Sequence, residues 1–221
     1  MGKMKMGILG DFRNKIGTVV GQRWRAGQYT TRAYVKDVRN PNTAKQQLQR
    51  AKFSTLGKLG SEFQVACELG FRPLLSSKPT TAVAEFVSRN SAAVHANTVD
   101  SVIIDYADLI VAAGGLVNVR FGTPQFDTPQ QVDVSFSDNM GSGVHTSLDD
   151  LVYLFIYCPD AKCGVLSDGV QRREHSISVD VPAYWNGMKV HIYGFTVSAD
   201  NNKKYLGRVS DSVYIGQGNI G

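Results

Sequence analysis

From Leu116 to Ile215 the chain runs as short apolar stretches in which alternate residues are polar, each closed by turn-forming residues, and no other feature restricts the fold so tightly. An alternation of period two belongs to a strand with one face in a core, because successive side chains leave a strand on opposite sides. The candidate strands are Leu116 to Phe121, Gln131 to Ser137, Leu151 to Cys158, Cys163 to Ser167, His175 to Val181, Lys189 to Val197 and Ser210 to Ile215. Val132, Val134 and Phe136 point one way, as do Ile177, Val179 and Val181, while Leu151 to Tyr157 is apolar almost throughout, as a central strand is. Turn-rich breaks such as Asp138 to Gly143 and Asp200 to Lys204 separate them. Seven short strands in roughly 105 residues predict a two-sheet sandwich.

The first half is written differently. Gly2, Gly7, Gly10, Gly17, Gly21 and Gly27 punctuate short β-prone runs, which disfavours helix and permits tight turns. Thr18 to Arg25 and Gln28 to Val35 read as two strands of a hairpin joined at Ala26-Gly27. Asn40-Pro41-Asn42-Thr43 ends the extended run and opens a helix, since Pro keeps its predecessor out of the helical region and Thr accepts the free amides of a first turn. Leu48, Ala51, Thr55, Leu56, Leu59 and Phe63 then recur at helical spacing, with Gly57 and Gly60 expected to bend or break the helix. A second helix is expected over Thr80 to Ala93, on the stripe Ala82, Val83, Phe86 and Val87, with Pro79 at its start. Ser101 to Val111 returns to β character, and Gly114-Gly115 marks a boundary. The expectation is a mainly β chain, α+β overall. Residues 1–113 form a basic hairpin arm with two helices and a β segment, and residues 114–221 an immunoglobulin-like sandwich of seven strands.

Composition bounds this reading. With 43% hydrophobic residues the chain has enough apolar matter for real cores, and 19% charged residues beside 22 glycines fit a turn-rich β protein better than a helical bundle. No apolar run approaches the roughly 20 residues needed to cross a bilayer, and Met1 to Val20 has glycine and charge where a secretory signal carries its hydrophobic segment. Synthesis in the cytoplasm is the expectation, with no membrane partner.

Charge divides the chain into two ends. Residues 1 to 60 hold 13 Lys or Arg against Asp11 and Asp37, a net of +11, while the other 161 residues hold 11 basic and 17 acidic groups, a net of −6. Such asymmetry suits a basic arm on nucleic acid, or copies associating basic end to acidic end. Arg23, Trp24, Arg25, Tyr29, Arg32, Tyr34, Lys36 and Arg39 mix cations with aromatics and are the candidate interface or phosphate contacts. The same residues also suit an ordinary half-buried hairpin, with Trp24 on one face and Arg23 and Arg25 on the other.

No reaction signature stands out. His95, His145, His175 and His191 are scattered, without HExxH, and neither GxSxG nor a P-loop occurs. Cys67, Cys158 and Cys163 are odd in number and expected to be reduced, although the turn between Cys158 and Cys163 also allows a redox pair or half a metal site. Asp149 and Asp150, with Asp138 and Asn139, are a candidate calcium cluster, although they fit no EF-hand spacing. Tyr184 and Trp185 beside Pro182 either present an aromatic surface at one end of the sandwich or seal its core. No catalytic residue, metal or cofactor is expected.

Two resemblances add to this. Pro182 to Asp200 (PAYWNGMKVHIYGFTVSAD) resembles the turn and penultimate strand of a fibronectin type III or immunoglobulin-like domain, which implies that Tyr193 is its corner tyrosine. The whole chain resembles an uncharacterised family abundant in Bacteroidota and in their phages and prophages, on Gly7 to Tyr34 (GILGDFRNKIGTVVGQRWRAGQYTTRAY), Asn40 to Phe53 (NPNTAKQQLQRAKF) and Ile104 to Leu116 (IDYADLIVAAGGL). That likeness implies a non-enzymatic virion component, in capsid decoration, connector or tail. It would be made in the host cytoplasm and then carried in the virion, with other virion proteins and copies of itself as partners; the alternative is a nucleic-acid-associated accessory protein.

Overall fold

The computed structural model describes residues 2–4, 13–23, 29–37, 40–77, 80–99, 101–139, 146–199 and 208–221, with the side chains of 2–4 left aside. Chain order begins with β1 (Gly2–Met4), β2 (Asn14–Ile16), β3 (Val19–Arg23) and β4 (Tyr29–Ala33), an antiparallel sheet in the order β1-β4-β3-β2. The expected hairpin is therefore the centre of a four-stranded sheet. Its Ala26-Gly27 turn lies outside the described residues, as do Pro79 and His145.

Helix α1 (Ala44–Glu62) opens where the sequence signals it, with a capping box in which Thr43 accepts from the Gln46 amide and the Gln46 side chain accepts from Thr43. It does not break at Gly57 or Gly60. Gly60 lies against Val83 and Phe86, so that position supplies close approach to a second helix rather than a bend. Two short helices absent from the sequence expectation follow, α2 (Gln64–Gly70) and α3 (Arg72–Ser77), and then α4 (Ala82–Arg89), capped by Thr81. The expected β run from Ser101 to Val111 is shorter than foreseen. Only β6 (Val102–Ile104), paired with β5 (Val94–Ala96), is strand, and Tyr106–Asp108 forms a 3-10 turn.

All seven expected sandwich strands are present: β7 (Arg120–Phe121), β8 (Gln131–Ser137), β9 (Leu151–Cys158), β10 (Cys163–Leu166), β12 (Ser176–Asp180), β13 (Lys189–Val197) and β14 (Val213–Asn219). A two-residue strand, β11 (Val170–Gln171), is added beside β9. One sheet runs β12-β8-β7 and the other β10-β9-β13-β14, all antiparallel. The first, second and fifth of the seven strands face the other four, so the fourth strand pairs with the third instead of joining the fifth as it does in a constant-type immunoglobulin domain.

Between the sheets, Val132, Val134, Ile177 and Val179 meet Val152, Leu154, Ile156 and Ile192 around Trp185, which is fully buried and so belongs to the core. The helices cover the outer face of the larger sheet. Phe63 of the α1–α2 junction places its ring 4.9 Å from Phe155, 4.5 Å from Tyr157, 5.7 Å from Tyr193 and 5.2 Å from Phe86. Strands β9 and β13 are thus buried on both faces, which explains why β9 lacks the alternation of its neighbours. Tyr193 is not a corner tyrosine. Its hydroxyl donates to the Tyr106 carbonyl at 2.7 Å, across to the connection ahead of the sandwich instead of back along its own corner.

Candidate functional site

The N-terminal sheet is where the sequence-derived interface residues fall, and its register sorts them. Ile16, Val19 and Ala33 are directly paired across β2, β3 and β4, as are Asn14, Gly21 and Thr31, with Arg23 opposite Tyr29; these residues share one face. Lys15, Val20 and Arg32 are paired on the other face, with Gln22 opposite Thr30. One side is therefore largely apolar and the other cationic. Ile16 is 55% exposed, Val19 38% and Val35, just beyond β4, 61%. No described residue of this sheet joins any of the hydrophobic clusters of the molecule. A sheet normally buries one face against another layer, and here the described layers leave these apolar side chains in water.

The candidate residues do not form one gripping surface. Arg23 stacks its guanidinium over Tyr29 at 5.7 Å on the apolar face, while Arg32 lies on the opposite face, where Lys15 sits 3.6 Å over the Tyr34 ring. Lys36 is exposed just beyond. Trp24, Arg25 and Arg39 lie outside the described residues.

A second feature is a cleft of about 430 Å³ on the body of the molecule, where the connection ahead of the sandwich crosses β13 and β14. Asp105, Tyr106, Asp160, Lys189, His191 and Tyr214 line it. His191 stacks on Tyr106 with ring centres 4.2 Å apart, and its Nδ1 lies 2.9 Å from the Tyr214 hydroxyl. Burial, with a smaller push from Lys189, lowers its pKa to about 4, so the imidazole is uncharged at neutral pH. Burial also raises the pKa of Tyr106 and Tyr214, keeping both phenols protonated. Sequence reasoning missed this cleft, because its walls come from segments far apart in the chain that only tertiary packing brings together.

The loop acids considered for calcium are otherwise engaged. Arg172, fully buried, reaches Asp138 at 3.2 Å, Asp150 at 3.5 Å and the Val117 carbonyl, and Arg173 pairs with Asp149. A guanidinium occupies the place given to an ion. Cys163 stands opposite Cys158 across the β9–β10 hairpin, but both are free thiols, Cys158 against Met188 and Cys163 against Tyr184. Among the described residues no group of three or more His, Cys, Asp or Glu is placed to hold a metal.

Fold and site together define a class: a three-layered immunoglobulin-like sandwich with a helical cover and a basic, two-faced sheet at its N-terminal end. The chain belongs to the family of unknown function DUF6266, whose model matches residues 9–216. No curated protein matches it.

Proposed function

We propose that this is a non-enzymatic assembly protein, a structural component of a phage particle held to neighbouring subunits by its N-terminal sheet. The observation that carries the docking is the apolar face of that sheet, with Ile16 and Val19 exposed and no described core beneath them. A segment with so little apolar content of its own gains stability when a second surface covers it. The particle setting rests on the likeness of Gly7 to Tyr34 and Asn40 to Phe53 to the phage-associated family. Removal of residues 1–43 is expected to abolish incorporation into particles, read by quantitative mass spectrometry of purified virions; normal incorporation of the truncated chain overturns the reading.

The cationic face favours one alternative, a nucleic-acid accessory role in which Lys15, Arg32 and Lys36 neutralise phosphates. Its signature is duplex DNA affinity that falls steeply with salt, and a flat or absent response removes it.

A further inference from the structure

We infer that the surface this sheet covers is a second copy of the same chain, the sheet of one molecule seating its apolar face over the Asp105–Asp160 cleft of the next. The inference rests on the docking role proposed above and names its partner. Three observations lead to it. The face to be covered is apolar through Ile16, Val19 and Ala33, which disfavours a polyanion as its occupant. That face nonetheless carries one described cation, Arg23, which needs a carboxylate if it is to leave water. The cleft supplies two exposed carboxylates, Asp105 and Asp160, beside the rings of Tyr106 and Tyr214, with exposed Ile103 and Ile110 in the same connection. His191 adds no positive charge to oppose Arg23, leaving Lys189 as the one cationic group of the cleft lining.

Charge also decides the geometry of self-association. Residues 1–43 carry nine basic groups against Asp11 and Asp37, so two such arms repel one another and a symmetric arm-to-arm pair is disfavoured. Residues 44–221, the body that such an arm meets, carry 15 basic and 17 acidic groups, a net of −2, so arm on body is not repulsive and draws its attraction from the local carboxylates Asp105 and Asp160, and the contact is head-to-tail. Head-to-tail contacts propagate, closing into rings or running on as filaments. Area fixes the strength. Two strands of five residues and two of three, about 4.8 Å apart and rising about 3.3 Å per residue, present a face of roughly 250 Å². That is well short of the roughly 800 Å² per partner of a stable free-standing pair. A single contact is therefore weak, and it accumulates where each molecule makes two.

The test is sedimentation velocity on the full chain, with two variants: an arm variant, Ile16→Asp with Val19→Asp, and a cleft variant, Asp105→Asn with Asp160→Lys. Asparagine keeps an oxygen for the Ala107 amide that Asp105 accepts. The unaltered chain is expected to self-associate at roughly 100 μM, about tenfold less strongly when salt is raised from about 0.05 to about 0.5 M. Each variant alone should remain monomeric with an unchanged melting curve. Mixed, the two should form a heterodimer and nothing larger, because each supplies the half that the other lacks. A monomeric unaltered chain, a self-associating cleft variant, or a mixture that stays monomeric overturns the inference, as does DNA binding by an arm on a chain that does not self-associate. If virions take up the cleft variant normally while still excluding the truncation of residues 1–43, the docking role stands and the choice of partner falls.

Discussion

His191 titrates across a range that folding itself sets. The ordinary imidazole pKa of about 6.5 applies in the unfolded chain, while the folded protein holds it to about 4 by burial and by Lys189. Between these values the unfolded state binds the extra proton, so stability rises with pH through the window and falls as pH drops from about 6.5 toward 4. Urea unfolding at pH 7.5 and pH 4.5 is expected to differ by on the order of 2 kcal/mol from this residue. His191→Gln should remove that part of the difference while leaving the carboxylate contribution. Arg172 is the other residue whose environment commits it. With no exposure and with Asp138, Asp150 and the Val117 carbonyl around it, its removal strands buried carboxylate charge. Arg172→Ala should cost about 3–5 kcal/mol in urea unfolding. Arg172→Lys should recover little of this, since an ammonium lacks the fork that reaches several acceptors at once.

Within α1, two glycines three residues apart have opposite roles, although the sequence presents them as equivalent helix breakers. A Cβ at Gly57 meets nothing within 4 Å, whereas one at Gly60 stands 3.1 Å from Val83 Cγ1 and 3.2 Å from Phe86 Cδ1. Gly57→Ala should stabilise the protein by about 0.5–1 kcal/mol through helix propensity. Gly60→Val should cost about 1–3 kcal/mol by forcing α4 away, and thermal melts of the two variants should move in opposite directions. This contrast marks what was legible and what was not. Period-two alternation placed the sandwich strands to within a few residues, and Thr43 placed the start of α1, because both signals are local. Helices α2 and α3 were also written locally, in Phe63, Ala66, Cys67, Gly70 and Phe71 at helical spacing, but Gly70 and Pro73 disguise the pattern. Leu109 and Val111 read as part of a strand because they are apolar, yet they are apolar because helices and sheet bury them. The division of Arg23 and Tyr29 from Arg32 and Tyr34 depends on strand register, and the partners of Arg172 on tertiary contact, neither of which a pattern of residue types records.

At the scale of the whole molecule, the break in sequence character at Gly114-Gly115 coincides with no break in packing. One hydrophobic cluster runs from Leu56, Phe63, Phe71 and Phe86 of the helices to Phe155, Tyr157 and Tyr193 of the sandwich, and Tyr157 donates its hydroxyl to Glu62 of α1. Hydrogen bonds from the Val111 amide to the Ser212 hydroxyl at 2.9 Å and from the Leu116 amide to the Val209 carbonyl at 3.1 Å tie the connection to the segment that leads into β14. Residues 114–221 alone would uncover three large aromatic rings on one sheet face, each costing about 1.5–3 kcal/mol of lost burial, a sum comparable to the whole stability of a domain this size. No described residue of the N-terminal sheet contributes a side chain to that cluster. The cut that the protein tolerates should thus fall before α1 and not at the glycine pair. A chain of residues 40–221 is expected to melt cooperatively at the temperature of the full protein, while residues 114–221 should bind a hydrophobic dye and lose near-ultraviolet circular dichroism. A cooperative, dye-free melt of the shorter fragment would make the helical layer an accessory to the sandwich, and with it the arm would lose the rigid base from which it reaches a neighbour.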